Sequence, residues 1–544
     1  MNPSDSSSRP SRTLVYAATA TAFAALSYVM NPGYFADAPM YAMDVLGPLI
    51  PRTDHGIDSG HLIWRPVLDC LLAFSRLMGW RWDALIILRT LSALATGFLA
   101  AFTLLLASKL GFSTRQQFLA VVLLGGSASV LVVGGSGAPY SAMALFILLA
   151  VVLVTPPPEW RWRRALTGAL SMGTACTFWG VGLMLMPVFT LAAFLGRGGT
   201  IRQRLAAAIG LSALATGAAA SCTVVAWWAW GGPQTGLGFV DWMSVASHGA
   251  AAAPSGIGAA RAILGAVRAL VDLGDLGYVI KSVMLGQTAG SPGRQLLFAA
   301  IIAAAVGVMA VLAAIGTGRL LRSGSRLAQA GALGLAAWLP NFLFTVSYGG
   351  NELHMTFGAI PFVALAFVAG LDAVSPRVTV AFTCLLWATN LTLGYTPSAL
   401  AARHQRQSFG TVARNQLPPF STLVVTGQDF AYLDALPMLY RDSIRVVNIR
   451  TEVLTHGPET WAERLDSCVA LSYRLGGRVA VLSDLIGEPT PQGLKLLPQE
   501  QPTPSLEEVN SYFAGWQRGQ RWSVGRFTFV ELTARDEKEK APTP

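Results

Sequence analysis

Long apolar segments separated by short basic clusters dominate the first 395 residues of this chain. Nine of the segments are long enough to cross, as helices, the hydrocarbon core of a bilayer, which is roughly 30 Å thick. They cover residues 13–30, 84–107, 116–134, 140–155, 205–230, 295–317, 327–347, 355–371 and 377–395. A further uncharged segment, 165–196, is too long for one upright helix, and Trp179-Gly180 near its middle predicts a turn.

The arginine and lysine clusters decide how often segment 165–196 crosses the membrane. If it crosses twice, all the clusters fall on one side, as the positive-inside rule requires. These clusters are Arg9/Arg12, Lys109/Arg115, Arg161/Arg163/Arg164, Arg197/Arg202/Arg204, Arg319/Arg322/Arg326 and Arg377. The pattern therefore predicts about eleven transmembrane helices, a cytoplasmic N-terminus and an extracytoplasmic C-terminus.

Composition supports the same class of protein. The chain has 544 residues, of which 53% are hydrophobic and only 12% charged, whereas soluble domains contain about 25% charged residues. The net charge of +10 comes from clusters beside apolar runs, which is the pattern that orients membrane helices, so we expect no nucleic-acid partner. The five cysteines are scattered and predict neither a disulfide framework nor a zinc site. We interpret residues 13–30 as a retained helix of an integral inner (plasma) membrane protein, and the Ala, Gly and Arg content favours a bacterial source.

Hydropathy falls after the last apolar segment, and the pattern changes to that of a small α/β domain. Four short β-like runs cover residues 422–426, 444–449, 479–483 and 527–532. Residues 458–477, between the second and third runs, show helical spacing, and Gly476 is the predicted cap of this helix. The predicted organisation is a transmembrane domain at 1–395, an extracytoplasmic α/β domain at 396–535 and a disordered tail at 536–544. Within the first domain, the outer loops are 31–80 and 231–294.

The first outer loop carries acids, histidines and arginine between two membrane segments. Asp37 precedes a short predicted helix at 39–46, and Asp44 lies seven residues later, on the same face if the helix extends back to Asp37. Asp37 could equally cap that helix, and Asp44 could be a solvated residue. A second amphipathic stretch, 61–80, contains His61 and Arg65 and is typical of a helix lying in the membrane interface.

Two other outer segments contain ionisable groups. Arg261 and Arg268 are spaced i, i+7 on an amphipathic stretch of the long loop, where contact with anionic lipid is the alternative explanation. Glu352 and His354 lie in a turn between two membrane helices and form either a substrate contact or a structural pair. The segment DHGIDSGH, residues 54–61, has spacing similar to that of metal ligands, although loops of this composition are usually only loops.

At these residues the chain resembles the GT-C superfamily of integral-membrane glycosyltransferases, which use polyprenyl-phosphate-linked sugar donors. The resemblance rests on an acidic residue soon after the first helix, in FADAPMY (35–41), and on two juxtamembrane helices in the first outer loop. A long later outer loop and a C-terminal outer domain extend it over the whole chain. It implies a polyprenyl-phosphate-sugar donor and a glycan, lipid or protein acceptor.

Glycosyl transfer requires a carboxylate that accepts the proton of the attacking hydroxyl, and cations where charge develops on the leaving phosphate. We expect Asp37 to be the base, with Asp44 as the substitute. The residues expected to bind substrate are His61, Arg65, Arg261, Arg268, Glu352 and His354. The sequence calls for no cofactor, although a divalent metal is an alternative to arginine for stabilising the phosphate.

Two other classes of membrane protein compete with this interpretation. A transporter or lipid flippase of the cell envelope generally places ionisable groups near the bilayer midplane. In this chain they concentrate instead on one predicted face. A membrane scaffold without catalytic activity would explain the outer domain but not the polar first loop. The sequence therefore favours a glycosyltransferase.

Overall fold

A computed structural model describes thirteen parts of the chain. They are residues 12–30, 60–80, 84–156, 160–236, 238–245, 256–271, 293–348, 353–395, 415–426, 444–449, 461–488, 506–524 and 527–533. Contacts within the chain define two compact units, one helical and one that contains the C-terminal sheet.

The described residues of the helical unit form fifteen labelled helices. They are α1 (Arg12–Met30), α2 (Trp64–Leu77), α3 (Ala84–Lys109), α4 (Thr114–Gly126), α5 (Ala128–Val133), α6 (Tyr140–Val154), α7 (Trp162–Phe178), α8 (Met186–Gly196), α9 (Ile201–Ala226), α10 (Gly256–Leu270), α11 (Gly293–Arg322), α12 (Ala328–Tyr348), α13 (Leu353–Thr356), α14 (Ile360–Val374) and α15 (Pro376–Thr389). Short 3-10 helices at Gly180–Leu185 and Phe357–Ala359 lead into α8 and α14. One-turn π-helices extend α9 through Trp227–Gly231 and α15 through Asn390–Tyr395, and short helices follow at Gly232–Thr235 and Phe239–Val245.

Six of the helices are long and apolar enough to cross a membrane, and shorter apolar helices accompany them. If α4 is counted with α5, and α13 with α14, and if the amphipathic helices α2 and α10 are left out, the described residues form eleven apolar helical segments. This agrees with the predicted number. The chain is an integral membrane protein with a polytopic helical domain.

Segment 165–196 forms two helices, as the arginine clusters predicted. The first helix, α7, ends at Phe178, and Trp179 has an extended backbone with φ −156° and ψ 125°. The 3-10 turn then begins at Gly180. Small residues let α7 approach its neighbours closely, because a Cβ on Gly173 would lie only 2.9 Å from the carbonyl oxygen of Ala215 in α9.

The apolar run 116–134 is interrupted, whereas its hydropathy predicted one segment. Ser127 is extended between α4 and α5, with ψ 142°. Side chains of α15 and its π turn satisfy the backbone carbonyls beside the interruption. Trp387 donates to the carbonyl of Val122 at 2.7 Å, and Asn390 donates to that of Gly126 at 2.6 Å. Such partners replace water, which cannot hydrogen-bond the backbone inside a bilayer.

The second predicted amphipathic stretch forms α2. Trp64, Leu68, Leu72 and Ser75 lie on its buried face, while Asp69 lies on the exposed side. This spacing is that of one helical face packed against protein. The other predicted surface helix, 39–46, lies outside the described residues.

The C-terminal unit is built on a five-stranded sheet with the order β2-β1-β3-β5-β4. Its strands are β1 (Thr422–Val425), β2 (Arg445–Asn448), β3 (Val479–Leu482), β4 (Gln517–Val524) and β5 (Phe527–Thr533). The first three are parallel, and β5 pairs antiparallel with both β3 and β4. Helix α16 (Trp461–Arg474) follows β2, and α17 (Leu506–Phe513) precedes β4. The predicted small α/β domain is therefore present.

All four predicted β runs form strands, whereas β4 was not predicted. The hydroxyls of Thr422 in β1 and Ser472 in α16 lie 2.5 Å apart, which fixes the helix on the sheet. Gly476 has a φ of +77° and the N–H of Gly477 donates to the carbonyl of Ser472, so Gly476 caps α16 as predicted.

Candidate active site

Two histidines and two aromatic side chains from separate segments meet in the helical unit. Tyr140 stacks on His354, with ring centroids 4.6 Å apart and planes at 18°. Trp179 meets Tyr140 edge-on at 4.6 Å and lies 5.4 Å from the His354 ring. His61 lies parallel to Trp179 at 6.3 Å. We call these four residues the histidine cluster.

His61 is held by the end of α7. Its Nδ1 lies 3.2 Å from the carbonyl oxygen of Phe178, whose usual helical partner is missing because the helix stops there. Since a carbonyl can only accept, Nδ1 carries the hydrogen of this bond. Backbone bonds from Gly180 to Gly60 and from Ile63 to Thr177 reinforce this attachment.

Tyr140 is fixed by the turn that precedes α6. Ser92 donates to the carbonyl of Ala138 at 2.8 Å, and Thr96 donates to that of Gly134 at 2.7 Å. Gly137 has a φ of +88°, which a residue with a side chain adopts at a cost. Helix α6 then begins at Tyr140, and the phenol ring is only 1% exposed.

His354 belongs to the short helix α13 and is 5% exposed. Two residues later the hydroxyl of Thr356 lies 3.3 Å from that of Ser129 in α5, and both residues are buried. Helix α13 is therefore tied to the end of the α4–α5 segment as well as to α6. These contacts order the cluster before any ligand binds, which lowers the entropic cost of binding.

The long predicted outer loop contributes α10 to the same helical unit. The side-chain amide of Asn390 donates to the carbonyl of Leu270 at 2.7 Å and to that of Gly126 at 2.6 Å, so it joins the last turns of α10 and α4. Helix α10 also packs against α12, α13 and α5. Arg268, in its last turn, is half-buried.

Arg65 lies in the first turn of α2, one helical turn beyond His61, and is half-buried. Desolvation of Asp69, one turn farther along, raises the pKa of that carboxyl, while the charges of Arg65 and Arg76 oppose the increase. Arg65, at the start of α2, therefore places a cation close in sequence to His61, on the segment that contributes His61 to the histidine cluster.

The structure thus brings together two of the predicted substrate-binding residues, His61 and His354. Arg65 and Arg268 lie on helices of the same unit. Asp37, Asp44 and Glu352 fall outside the described residues, as does the side chain of Arg261, and their predicted roles remain predictions. Within the described ranges, no three His, Cys, Asp or Glu side chains converge as a metal site.

Sequence reasoning missed Tyr140 and Trp179 as members of the site. The sequence pattern at Trp179 predicts only a turn, and the pattern at Tyr140 predicts only the start of an apolar helix. The available signal was a bulky aromatic residue at the start of an apolar helix, directly after the glycine-rich turn GGSGAP at 134–139. Such residues often line ligand sites, because one edge can be polar while the ring is buried.

Sequence comparison finds no matching family model and no matching curated protein. Comparison with solved structures does find matches. The crystal structure of ArnT from Cupriavidus metallidurans bound to undecaprenyl phosphate superposes with a TM-score of 0.56 at 15% identity, covering 98% of this chain and 99% of that one. Apo ArnT gives a TM-score of 0.54 at 15% identity, over 95% and 97% of the two chains.

The mycobacterial arabinofuranosyltransferase AftD gives a TM-score of 0.42 at 15% identity and is covered over only 40% of its length, so it carries no weight here. The ArnT superposition spans both the helical unit and the C-terminal sheet. The chain therefore shares the fold of ArnT.

Proposed function

We propose that this chain is a membrane glycosyltransferase that moves a sugar from a polyprenyl-phosphate-linked donor to an acceptor hydroxyl on the extracytoplasmic face. The main support is the fold match to ArnT, whose crystal structure contains undecaprenyl phosphate and which is matched over nearly its whole length. A shared fold can host different functions, so the chemistry must be argued from the site.

The histidine cluster suits a substrate with hydroxyl and phosphate groups. Imidazole nitrogens hydrogen-bond to either group, and an indole face such as that of Trp179 packs against the apolar face of a sugar ring. The cluster lies where helix ends meet, at the end of α7 and the start of α6. A lipid-linked donor can reach such a position without its tail leaving the bilayer.

In the proposed reaction, the acceptor hydroxyl attacks the anomeric carbon while Asp37, or Asp44 in its place, takes the hydroxyl proton. The bond between the anomeric carbon and the phosphate oxygen breaks, and the polyprenyl phosphate leaves as an anion. Arg65 and the α10 arginines, Arg261 and Arg268, would stabilise this charge through bidentate contacts. The placement outside the cytoplasm rests on the arginine clusters, whose described members lie at the opposite helix ends.

A lipid flippase is the alternative, and the two functions differ in bond cleavage. We would reconstitute the purified protein in liposomes with a polyprenyl-phosphate sugar labelled in the sugar and add extracted envelope glycans or lipids as acceptors. A transferase releases polyprenyl phosphate and produces a labelled acceptor. Intact donor that appears on the other leaflet would identify a flippase instead. In cells lacking the protein, we expect the lipid-linked sugar donor to accumulate.

A further inference from the structure

Arg197 lies between two tryptophans at the helix ends opposite the histidine cluster. Its guanidinium carbon is 5.1 Å from the ring centroid of Trp162 and 5.7 Å from that of Trp160. The two indoles are nearly perpendicular, with centroids 6.0 Å apart and planes at 83°. Both distances fall within the range of cation–π attraction, so the guanidinium is held in a fixed position.

Among the described residues, no protein group accepts a hydrogen bond from this guanidinium. Within the described part of the chain, Arg197 makes no side-chain hydrogen bond or ion pair, and its Nε and the Nε1 of Trp160 are both buried without a partner. Other arginines at these helix ends are satisfied: Arg204 donates to the carbonyl of Phe194 at 2.9 Å, and Arg115 pairs with Asp372. Buried donors without acceptors are costly, so a ligand is the natural partner.

The basic residues around Arg197 favour an anion as its ligand. Arg161, Arg163 and Arg164 adjoin the two tryptophans in sequence, and Arg202 follows on the next helix. Lys109, at the end of α3, donates to the carbonyl of Thr155 nearby in the chain. Charge-assisted contacts between a guanidinium and a phosphate are short, bidentate and stronger than neutral hydrogen bonds.

A stripe of exposed apolar side chains along α7 indicates that the anion carries a lipid tail. Trp162, Leu166 and Leu170 are spaced i, i+4, i+8, so they share one face of the helix. Their exposed fractions are 50%, 44% and 53%. The stripe begins at the indole that contacts Arg197 and runs toward the middle of the helix, where an acyl chain attached to a bound phosphate would lie.

We propose that Trp160, Trp162 and Arg197 form a binding site for the phosphate of an anionic glycerophospholipid. The phosphate accepts hydrogen bonds from the guanidinium and the Trp160 indole, and one acyl chain lies along the α7 stripe. The site is separate from the histidine cluster, because the two lie at opposite ends of the 17-residue helix α7. It does not depend on the proposed reaction.

The test is lipid-dependent stabilisation of the detergent-purified full chain. Thermal midpoints are measured during titration with phosphatidylglycerol, phosphatidylcholine or soluble glycerol phosphate. We expect phosphatidylglycerol to raise the midpoint of the wild type and the other two to have little effect. Arg197→Gln should need at least about tenfold more phosphatidylglycerol for the same shift, since a charge-assisted contact is removed.

Arg322→Gln is the matched control, because Arg322 is an exposed arginine in the last turn of α11, away from the two tryptophans in sequence, and its loss changes the net charge equally. It should respond as the wild type does. Arg197→Lys keeps the charge but not the bidentate geometry, and should fall between the wild type and Arg197→Gln. Equal responses of Arg197→Gln and Arg322→Gln would overturn the site. Stabilisation by soluble glycerol phosphate as strong as that by the lipid would overturn the assignment to a lipid.

Discussion

Tyr140 and His354 lie face to face, 4.6 Å apart, although they start two different membrane helices. The phenol ring is nearly fully buried and also meets the edge of Trp179. It therefore acts as the central surface against which the other members of the histidine cluster are placed. A change at Tyr140 should affect the positions of both His354 and Trp179.

We predict that Tyr140→Leu destabilises the protein by about 2–4 kcal/mol, because it removes a buried ring and its stacking contacts. Tyr140→Phe keeps the ring and should lose at most about 1 kcal/mol. Thermal or denaturant unfolding of the purified variants in one detergent measures the difference. Similar stability of the Leu and Phe variants would mean that the stack does not hold this region together.

Asp37→Asn tests the proposed base. Asn caps a helix about as well as Asp but cannot take a proton, so the variant should insert normally and lose roughly 100-fold or more of its transfer rate. If Asp37 is only a cap, Asn should be nearly silent, while Ala costs about 1 kcal/mol of stability. An active Asp37→Asn with an inactive Asp44→Asn would move the base to Asp44. Near-normal transfer by both would contradict the mechanism.

Arg65→Gln and Arg268→Gln test the proposed contacts with the donor phosphate. Each contact is worth roughly 1.5–3 kcal/mol, so neutralising one arginine should weaken use of the donor about ten- to a hundredfold. Steady-state kinetics with varied donor concentration measure the effect, and gel filtration checks folding. Arg163→Gln, at the opposite helix ends, is the control. Unchanged donor kinetics in both variants would remove these residues from the site.

Cys468 reports the orientation of the C-terminal unit. It is partly buried in α16, so in a variant where it is the sole cysteine we expect labelling by an impermeant thiol reagent from outside only after mild denaturant. A second variant carries Arg163→Cys as its sole cysteine and should be labelled only in inverted vesicles. The opposite result for the two positions would reverse the predicted topology and place the histidine cluster on the cytoplasmic side.

Asp69 should make stability depend on pH. Desolvation raises the pKa of this carboxyl in the folded protein, so the folded state binds the proton more tightly than the unfolded state does. Stability is therefore higher below the unfolded pKa and is lost as pH rises through the folded pKa. Asp69→Asn should remove this dependence and be at least as stable as the wild type at neutral pH. Parallel stability profiles of the two proteins from pH 4 to pH 7 would contradict the raised pKa.

Local sequence signals predicted the helices well because membrane crossing imposes length and charge rules on each segment. The division at Trp179 followed from where Arg197 and Arg202 had to lie. The interruption at Ser127 could not be found in this way. The backbone carbonyls that precede it are satisfied by Trp387 and Asn390, which are distant in sequence. Tertiary contacts of this kind leave no local pattern.

The C-terminal strands show the same contrast. β1 and β3 are continuous apolar runs, as expected of parallel strands buried on both faces. β4 reads QRGQRWSV and lies at the edge of the sheet, where polar side chains are tolerated, so it carried no hydrophobic signal. Only His61 and His354 of the histidine cluster were predicted, for a related reason. Histidines in outer segments are recognisable as candidates for substrate binding, whereas Tyr140 and Trp179 resemble ordinary interfacial aromatic residues.

The short length of α7 has a consequence for the bilayer itself. Its 17 residues advance only about 25 Å, whereas the hydrocarbon core is about 30 Å thick. A membrane that meets both the Arg197 site and the Trp179 turn must become locally thinner or leave the turn below its surface. With either adjustment, the histidine cluster lies at the depth where lipid phosphates begin to lose water. A sugar attached to such a phosphate would then enter the bilayer less deeply to reach the cluster. Its polar contacts there would be stronger than in open solvent.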